Sequence, residues 1–364
     1  MIQLKNVNFT YQGAETGGLH GLDLTVPDGQ VLVLCGESGC GKTTLTRLLN
    51  GLIPHVFPGE LTGSVTVDGR DVSHQPLYDT ARLVGSVFQN PRSQFFNVDT
   101  TSEITFGCEN LGLPKDEILR RLDAAVPALG LRKLLGRGIF QLSGGEKQKI
   151  ACAGAFLMEP PVFVLDEPSA NLDADAVLEL RGVLKTLKAL GKTVILSEHR
   201  LYYLRGLADR YLYLRDGRIQ GDYSGVEFDA IPAEERRAMG LRAGSLADLT
   251  LREEPDIRRG TAQLRDFRFA YKNAPETLRI DEAAIPYGGI VGILGHNGAG
   301  KSTFSRCFCG LEKRRGTVTV DGTALRPKDR LDRCYMVTRD VGHQLFTESV
   351  LDEVLLSMPE EDET

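Results

Sequence analysis

The chain has 364 residues, 41% hydrophobic and 25% charged, with a formal net charge of −6. That length accommodates two domains with buried cores, and the balance is that of an ordinary globular protein. The acidic charge argues against a general nucleic-acid-binding surface. The seven cysteines (35, 40, 108, 152, 307, 309 and 334) include no C-x-x-C pair, so neither a zinc site nor a disulfide framework is indicated, and they point to a reducing compartment. No apolar run approaches the ~18 residues of a membrane-spanning helix.

Ile2 to Tyr11 and Leu22 to Val26 alternate apolar and polar residues and are expected to be strands. Tyr11, 31 residues before Lys42, is either a packed tyrosine or one that stacks on an adenine face. Val31 to Cys35 is an apolar run expected to be a strand buried on both faces. It runs into Gly36-Glu37-Ser38-Gly39-Cys40-Gly41-Lys42-Thr43-Thr44 and then a helical start at Leu45. This is the G-x-x-x-x-G-K-[ST] phosphate loop. Its glycines let backbone N–H groups curl around phosphates, and the new helix offers unsatisfied donors and a positive dipole end. Lys42 would neutralise the terminal phosphates and the Thr43 hydroxyl would bind Mg²⁺.

Gly63 to Gly69 reads as a short strand with a turn, and Leu83 to Phe88 as a strand ending at Gln89. Gln89 fits a side chain reaching Mg²⁺ or the attacking water, and equally a solvated turn. Thr100 to about Met158 is helical in pattern and contains Leu142-Ser143-Gly144-Gly145-Glu146-Lys147-Gln148-Lys149. Ser143, Gly144 and Gly145 form either a plain helix cap or a second anion-binding helix start. In Val162-Phe163-Val164-Leu165-Asp166-Glu167-Pro168 a buried strand ends in two carboxylates, where parallel sheets bind ligands. Asp166 is placed to hold Mg²⁺, and Glu167 to polarise a water attacking the γ-phosphate. A helix is expected from Ala174 to Leu190, then a strand, Thr193 to Ser197, ending at Glu198-His199. His199 there either hydrogen-bonds the γ-phosphate or is structural. A hairpin around Asp216-Gly217 and a charged linker over 226–260 close this part.

The second part repeats the first. Gln263 to Tyr271 matches Gln3 to Tyr11, and Gly295-His296-Asn297-Gly298-Ala299-Gly300-Lys301-Ser302-Thr303 is a second phosphate loop after an apolar strand expected over 289–294. Ser302 takes the Mg²⁺ position of Thr43. Tyr271 precedes Lys301 by 30 residues, and this recurrence favours the stacking role for both tyrosines. Gly316 to Gly322 repeats Gly63 to Gly69, and Val337 to Phe346 repeats Val87 to Phe96 with Arg339 where Gln89 stood. No second LSGG, strand-Asp-Glu or strand-end His follows.

This ordered set resembles the ATP-binding cassette (ABC) ATPases of ABC transporters. It comprises Tyr11, the loop at 36–43, Gln89, LSGGEKQK at 142–149, VFVLDEP at 162–168, Asn171-Leu172-Asp173 and His199. Phe88-Gln89-Asn90-Pro91, Ser197-Glu198-His199-Arg200 and His343-Gln344-Leu345-Phe346 are similar to the energy-coupling-factor subgroup. The resemblance implies an α/β P-loop fold with a mixed, largely parallel core sheet, an antiparallel β subdomain and an α-helical subdomain. It implies domains at 1–225 (a complete cassette), 226–260 (linker) and 261–364 (the N-terminal part of a second, truncated cassette). It also implies ATP hydrolysis with Mg²⁺, held by Thr43, Gln89, Asp166 and Ser302. Catalytic roles fall to Lys42, Gln89, Glu167 and His199.

Cassettes of this family close head to tail, so Ser143, Gly144 and Gly145 are expected to complete the site of another cassette around Lys301 and Ser302. The partners implied are a transmembrane coupling protein and a substrate-binding membrane subunit, at the cytoplasmic face of the membrane, with no nucleic acid. The cargo would be a vitamin or a transition-metal ion. The alternatives are a soluble tandem-cassette ATPase acting on ribosomes or nucleic acid, and a nucleotide-sensing module with a dead site. A long basic inter-cassette segment would mark the former and a missing Glu167 or His199 the latter; neither feature is present.

Overall fold

The computed structural model describes residues 1–14, 17–245, 260–312, 315–338, 342, 344–356 and 358. The chain divides into two units, Met1–Arg252 and Glu253–Thr364.

In the first unit, β1 (Ile2–Tyr11), β2 (Leu19–Val26) and β3 (Val31–Cys35) precede α1 (Lys42–Leu49) and α2 (Leu52–His55). There follow β4 (Gly59–Val67), β5 (Arg70–Asp71), α3 (Leu77–Leu83) and β6 (Val84–Val87). A helical layer of α4 (Thr100–Asn110), α5 (Lys115–Leu129) and α6 (Gly144–Leu157) leads into β7 (Val162–Asp166), α7 (Ala174–Ala189) and β8 (Thr193–Ser197). The unit continues through the hairpin β9 (Arg210–Arg215) and β10 (Arg218–Ser224) to α8 (Gly225–Ala230) and α9 (Ala233–Ala238).

Two sheets result. The order β2-β1-β4-β5 is antiparallel throughout, and the order β10-β9-β3-β8-β7-β6 is parallel except at its β10 edge. The central strands are continuous apolar runs because both faces are covered. Val31, Val33 and Cys35 face one core with Phe163 and Leu165, while Leu32 and Leu34 face the other with Val162 and Val164. The first core lies under the helical layer and the second under the antiparallel sheet. This is the α/β ABC-type architecture, with the core strands ending on one side beside the phosphate loop.

The charged stretch read as a linker does not begin at 226. Ser224 and Glu227 form a capping box on α8, and Phe228 stacks on Tyr211 with centroids 4.0 Å apart. Arg236, itself buried, lies over the Phe228 ring and donates to Phe228 O and Asp229 O. These helices belong to the first unit's core, and a buried arginine disguised them as surface. Residues 246–259 of the expected linker lie outside the described residues.

The second unit holds the antiparallel sheet β12-β11-β13-β14, built from β11 (Gly260–Ala270), β12 (Glu276–Tyr287), β13 (Arg315–Val320) and β14 (Thr323–Ala324). Its helices are α10 (Lys301–Cys309), α11 (Pro327–Leu331) and α12 (Val350–Leu356). Leu264, Phe267, Phe269, Leu278, Cys307 and Val318 form its core. The strand expected over 289–294 is not formed: Ile290 is 96% and Leu294 93% exposed. In the first unit the matching β3 is laddered to β8 and β9, and no such neighbours occur among the second unit's described residues. An apolar run without ladder partners cannot satisfy its backbone as a strand.

Candidate nucleotide site

The phosphate loop connects β3 to α1. Gly36 has φ +145°, and a Cβ there would lie 2.2 Å from Leu214 O on β9, so only glycine lets the loop leave the strand this way. Lys42, 4% exposed, lies across the loop and donates from Nζ to Gly36 O at 3.0 Å and Glu37 O at 2.8 Å. Glu37, Ser38 and Gly39 form the exposed rim, while Cys40 and Gly41 are buried beneath it. Burial pushes the neighbouring Cys35 thiol up to about 12, so Cys35 is a neutral packing residue.

The carboxylates come from β7, and β8 supports them in register, Asp166 beside Ser197. Thr43 Oγ1 donates to Asp166 Oδ1 at 3.1 Å, and Ser197 Oγ donates to the same oxygen at 2.6 Å. Glu167 has φ +41°, a backbone state costing on the order of 1–3 kcal/mol for a non-glycine residue. Its N–H is held by Ser197 O at 3.1 Å and Ser197 Oγ at 3.0 Å. The side chain thereby meets two partners. Gln89 Nε2 donates to Oε2 at 2.8 Å, and His199 Nε2 lies 3.2 Å from Oε1. The His199 hydrogen bond holds the Glu167 carboxyl below its ordinary range against the opposing effect of burial, with the charges of His199, Lys42 and Arg242 reinforcing it.

The expected residues Lys42, Thr43, Gln89, Asp166, Glu167 and His199 therefore converge. Ser143, Gly144 and Gly145 do not join them. Ser143 caps α6 in a box with Glu146, which pairs with Arg137 at 2.7 Å. Gly145 is needed for close packing, since a Cβ there would lie 2.6 Å from Ala176 Cβ on α7. The segment is a good helix cap in this unit, with Ser143 exposed at its tip. Tyr11 is tied to α1: its hydroxyl lies 3.1 Å from Thr44 Oγ1 and accepts from Arg47 Nη1 at 3.1 Å.

Three participants were not read from sequence. Ser197 bridges the Asp166 carboxylate and the Glu167 backbone N–H, and only the β7–β8 register reveals it. Glu198 is a buried carboxylate beside His199. Arg242 acts electrostatically on Glu167 from the stretch assigned to the linker.

In the second unit Lys301 Nζ donates to Gly295 O at 2.5 Å and His296 O at 2.7 Å, repeating the Lys42 arrangement. Tyr271 Oη lies 3.2 Å from Thr303 Oγ1, as Tyr11 does from Thr44. Asn297, Gly298, Ala299 and Gly300 complete the loop; Ser302, on the first turn of α10, is exposed, and no strand equivalent to β7 stands beside it among the described residues. Arg339 lies outside the described residues.

The donor set suits Mg²⁺ with a polyphosphate. A hydroxyl and one carboxylate are hard oxygen ligands, and Mg²⁺ takes few protein ligands because phosphates and waters fill its octahedron.

The family profile described as ABC transporter matches residues 19–170 and 278–362. A Treponema denticola protein provisionally named ABC transporter ATP-binding protein is 43% identical, over 98% of this chain and 75% of its own length. A Methanosarcina mazei protein of the same name is 31% identical, over all of this chain and 71% of its own length. Among solved structures, cbiO1 of Clostridium perfringens, part of the ABC transporter complex cbiONQ, superposes with a TM-score of 0.57 at 28% identity, covering 65% of this chain and 94% of its own. The dimeric cassette MJ0796 bound to ADP and Pi shares the fold, with a TM-score of 0.54 at 24% identity over 62% of this chain and 98% of its own. The chain belongs to the ABC transporter family, as an ATP-hydrolysing, ATP-binding cassette protein.

Proposed function

We propose that this chain is the tandem-cassette ATPase of an energy-coupling-factor type transporter, powering uptake of a vitamin or a transition-metal ion from the cytoplasmic face of the membrane. The similarity to cbiO1, part of the ABC transporter complex cbiONQ, supports a cassette that works within a transporter complex. Recurrence of fine contacts supports the tandem reading. Gln94 braces the end of β6 through Ser86 O and Phe88 N, and Gln344 makes the matching contacts with Met336 O and Thr338 N, in a segment that is not a strand. Glu103 accepts from Phe96 N and Asn97 N, and Glu353 accepts from Phe346 N and Thr347 N. Residues 261–364 are then the N-terminal part of a second cassette.

In the first cassette, Lys42 and the loop amides bind the β- and γ-phosphates of ATP, and Tyr11 stacks on the adenine. Thr43, Gln89 and Asp166 would hold Mg²⁺, which when bound offsets charge building on the phosphate oxygens. Glu167 accepts the proton of the attacking water and His199 orients toward the γ-phosphate. Ser143, Gly144 and Gly145 contribute hydroxyl and amide donors to the nucleotide of another cassette.

The observation that carries coupling to a membrane subunit is a cleft of about 390 Å³ between β6 and the helical layer. Phe88, Phe95, Phe96, Phe106 and Met158 line it, Phe96 being 77% exposed, and it opens one residue from Gln89. An apolar helical segment of a membrane subunit seated there would feel each change at Gln89. Among the described residues no helix is long and apolar enough to cross a membrane. Phe96→Asp should abolish copurification with membrane subunits while preserving ATP binding. Retention of the membrane complex, or copurification with ribosomes instead, would contradict the assignment.

A further inference from the structure

Glu198 is 2% exposed, and a carboxylate so buried must be satisfied by donors. Four converge on it. Oε1 accepts from Ser169 N at 3.0 Å and from the Tyr203 hydroxyl at 2.8 Å. Oε2 accepts from His199 N at 2.9 Å and Arg200 N at 3.1 Å. Its own N–H donates to Leu34 O at 3.0 Å, at the end of the strand that feeds the phosphate loop. Burial, then the charge of Glu198, push the Tyr203 phenol well above its ordinary value, so it remains a donor to the carboxylate.

These bonds join the two segments that flank Glu167 chemically. Ser169 lies two residues beyond Glu167 on the β7 side, and His199 approaches Glu167 from the β8 side. Arg200 extends the join by donating from Nη1 to Leu172 O at 2.9 Å. One carboxylate thus fixes the backbone on both sides of the Glu167–His199 pair. A neutral amide cannot reproduce this, because it has one acceptor oxygen and would set an N–H against one of the two donor pairs.

We propose that Glu198 is a positioning residue for hydrolysis: it locks the His199 backbone to the segment following Glu167, setting the 3.2 Å approach of imidazole to carboxylate. Its four acceptor contacts are all to groups of the chain itself, so its influence on the reaction runs through the segments it holds. The inference rests on the assignment of Glu167 and His199 above. Misplacing a reacting group by about 1 Å costs on the order of 10²-fold in rate.

The test is a double-mutant cycle on the full chain in its assembled complex, read by single-turnover ATP hydrolysis and by equilibrium ATP binding. Glu198→Gln is expected to lower the hydrolysis rate on the order of 10- to 100-fold with ATP affinity changed less than about threefold. In a His199→Ala background the same substitution should cost less than about twofold, because its effect travels through His199. Multiplicative losses in the two backgrounds, or a normal rate in Glu198→Gln, would overturn the proposal and reduce Glu198 to a stability residue. If Glu198→Gln does not fold, Tyr203→Phe, which removes one donor, runs through the same cycle with a smaller, few-fold expected loss and the same criterion. Glu167→Gln is measured alongside. Undiminished hydrolysis in that variant would contradict the site assignment itself, which separates the two failures.

Discussion

Ser197 donates to Asp166 Oδ1 at 2.6 Å, so a side chain of the neighbouring strand, together with Thr43 of α1, aims the carboxylate proposed to hold Mg²⁺. The same hydroxyl accepts from Glu167 N at 3.0 Å, holding that residue at positive φ. One side chain therefore orients both acids.

Ser197→Ala removes both bonds but leaves the backbone bond from Glu167 N to Ser197 O. The expected outcome is a fall in turnover on the order of 10-fold, with the Mg²⁺ concentration needed for half-maximal rate raised several-fold. Steady-state hydrolysis across a Mg²⁺ titration measures both.

Lys42→Ala deletes the buried cation of the first loop and should abolish tight ATP binding there. Lys301→Ala should cost turnover less than about tenfold. In sequence Arg339 stands where Gln89 stands, and a fixed positive charge suits phosphate retention better than Mg²⁺ positioning. Nucleotide titration and steady-state turnover of both variants make the comparison; equal losses would contradict the asymmetry.

Glu146 titrates below the ordinary glutamate range. Burial opposes this, but the Ser143 backbone N–H and Arg137 prevail. A folded value below the unfolded one means that the carboxylate stabilises the start of α6 above the ordinary range of about 4.3, and that this is lost as pH falls through the folded value. Denaturant midpoints of wild type and Glu146→Gln should therefore differ at neutral pH and converge in acid.

Residues with a chemical signature and a strand end were legible in the sequence: Lys42, Asp166, Glu167 and His199 meet as their positions implied. The apolar runs at Val31–Cys35 and Val162–Asp166 announced strands buried on both faces, and they are. Legibility failed where a neighbour decides the outcome. Ser197 and Glu198 acquire roles only through the β7–β8 register and four converging donors. Residues 289–294 have a strand's composition without a strand's partners. Phe228, Arg236 and Met239 pack onto the first unit although their surroundings are charged enough to read as a linker.

The proposed function requires that Glu167 act at the first site as the base on the attacking water. Single-turnover hydrolysis by the assembled complex carrying Glu167→Gln tests it most directly. An amide cannot accept the proton, so the rate should fall on the order of 10²–10⁴-fold while ATP binding is retained. A wild-type single-turnover rate in that variant would contradict the account.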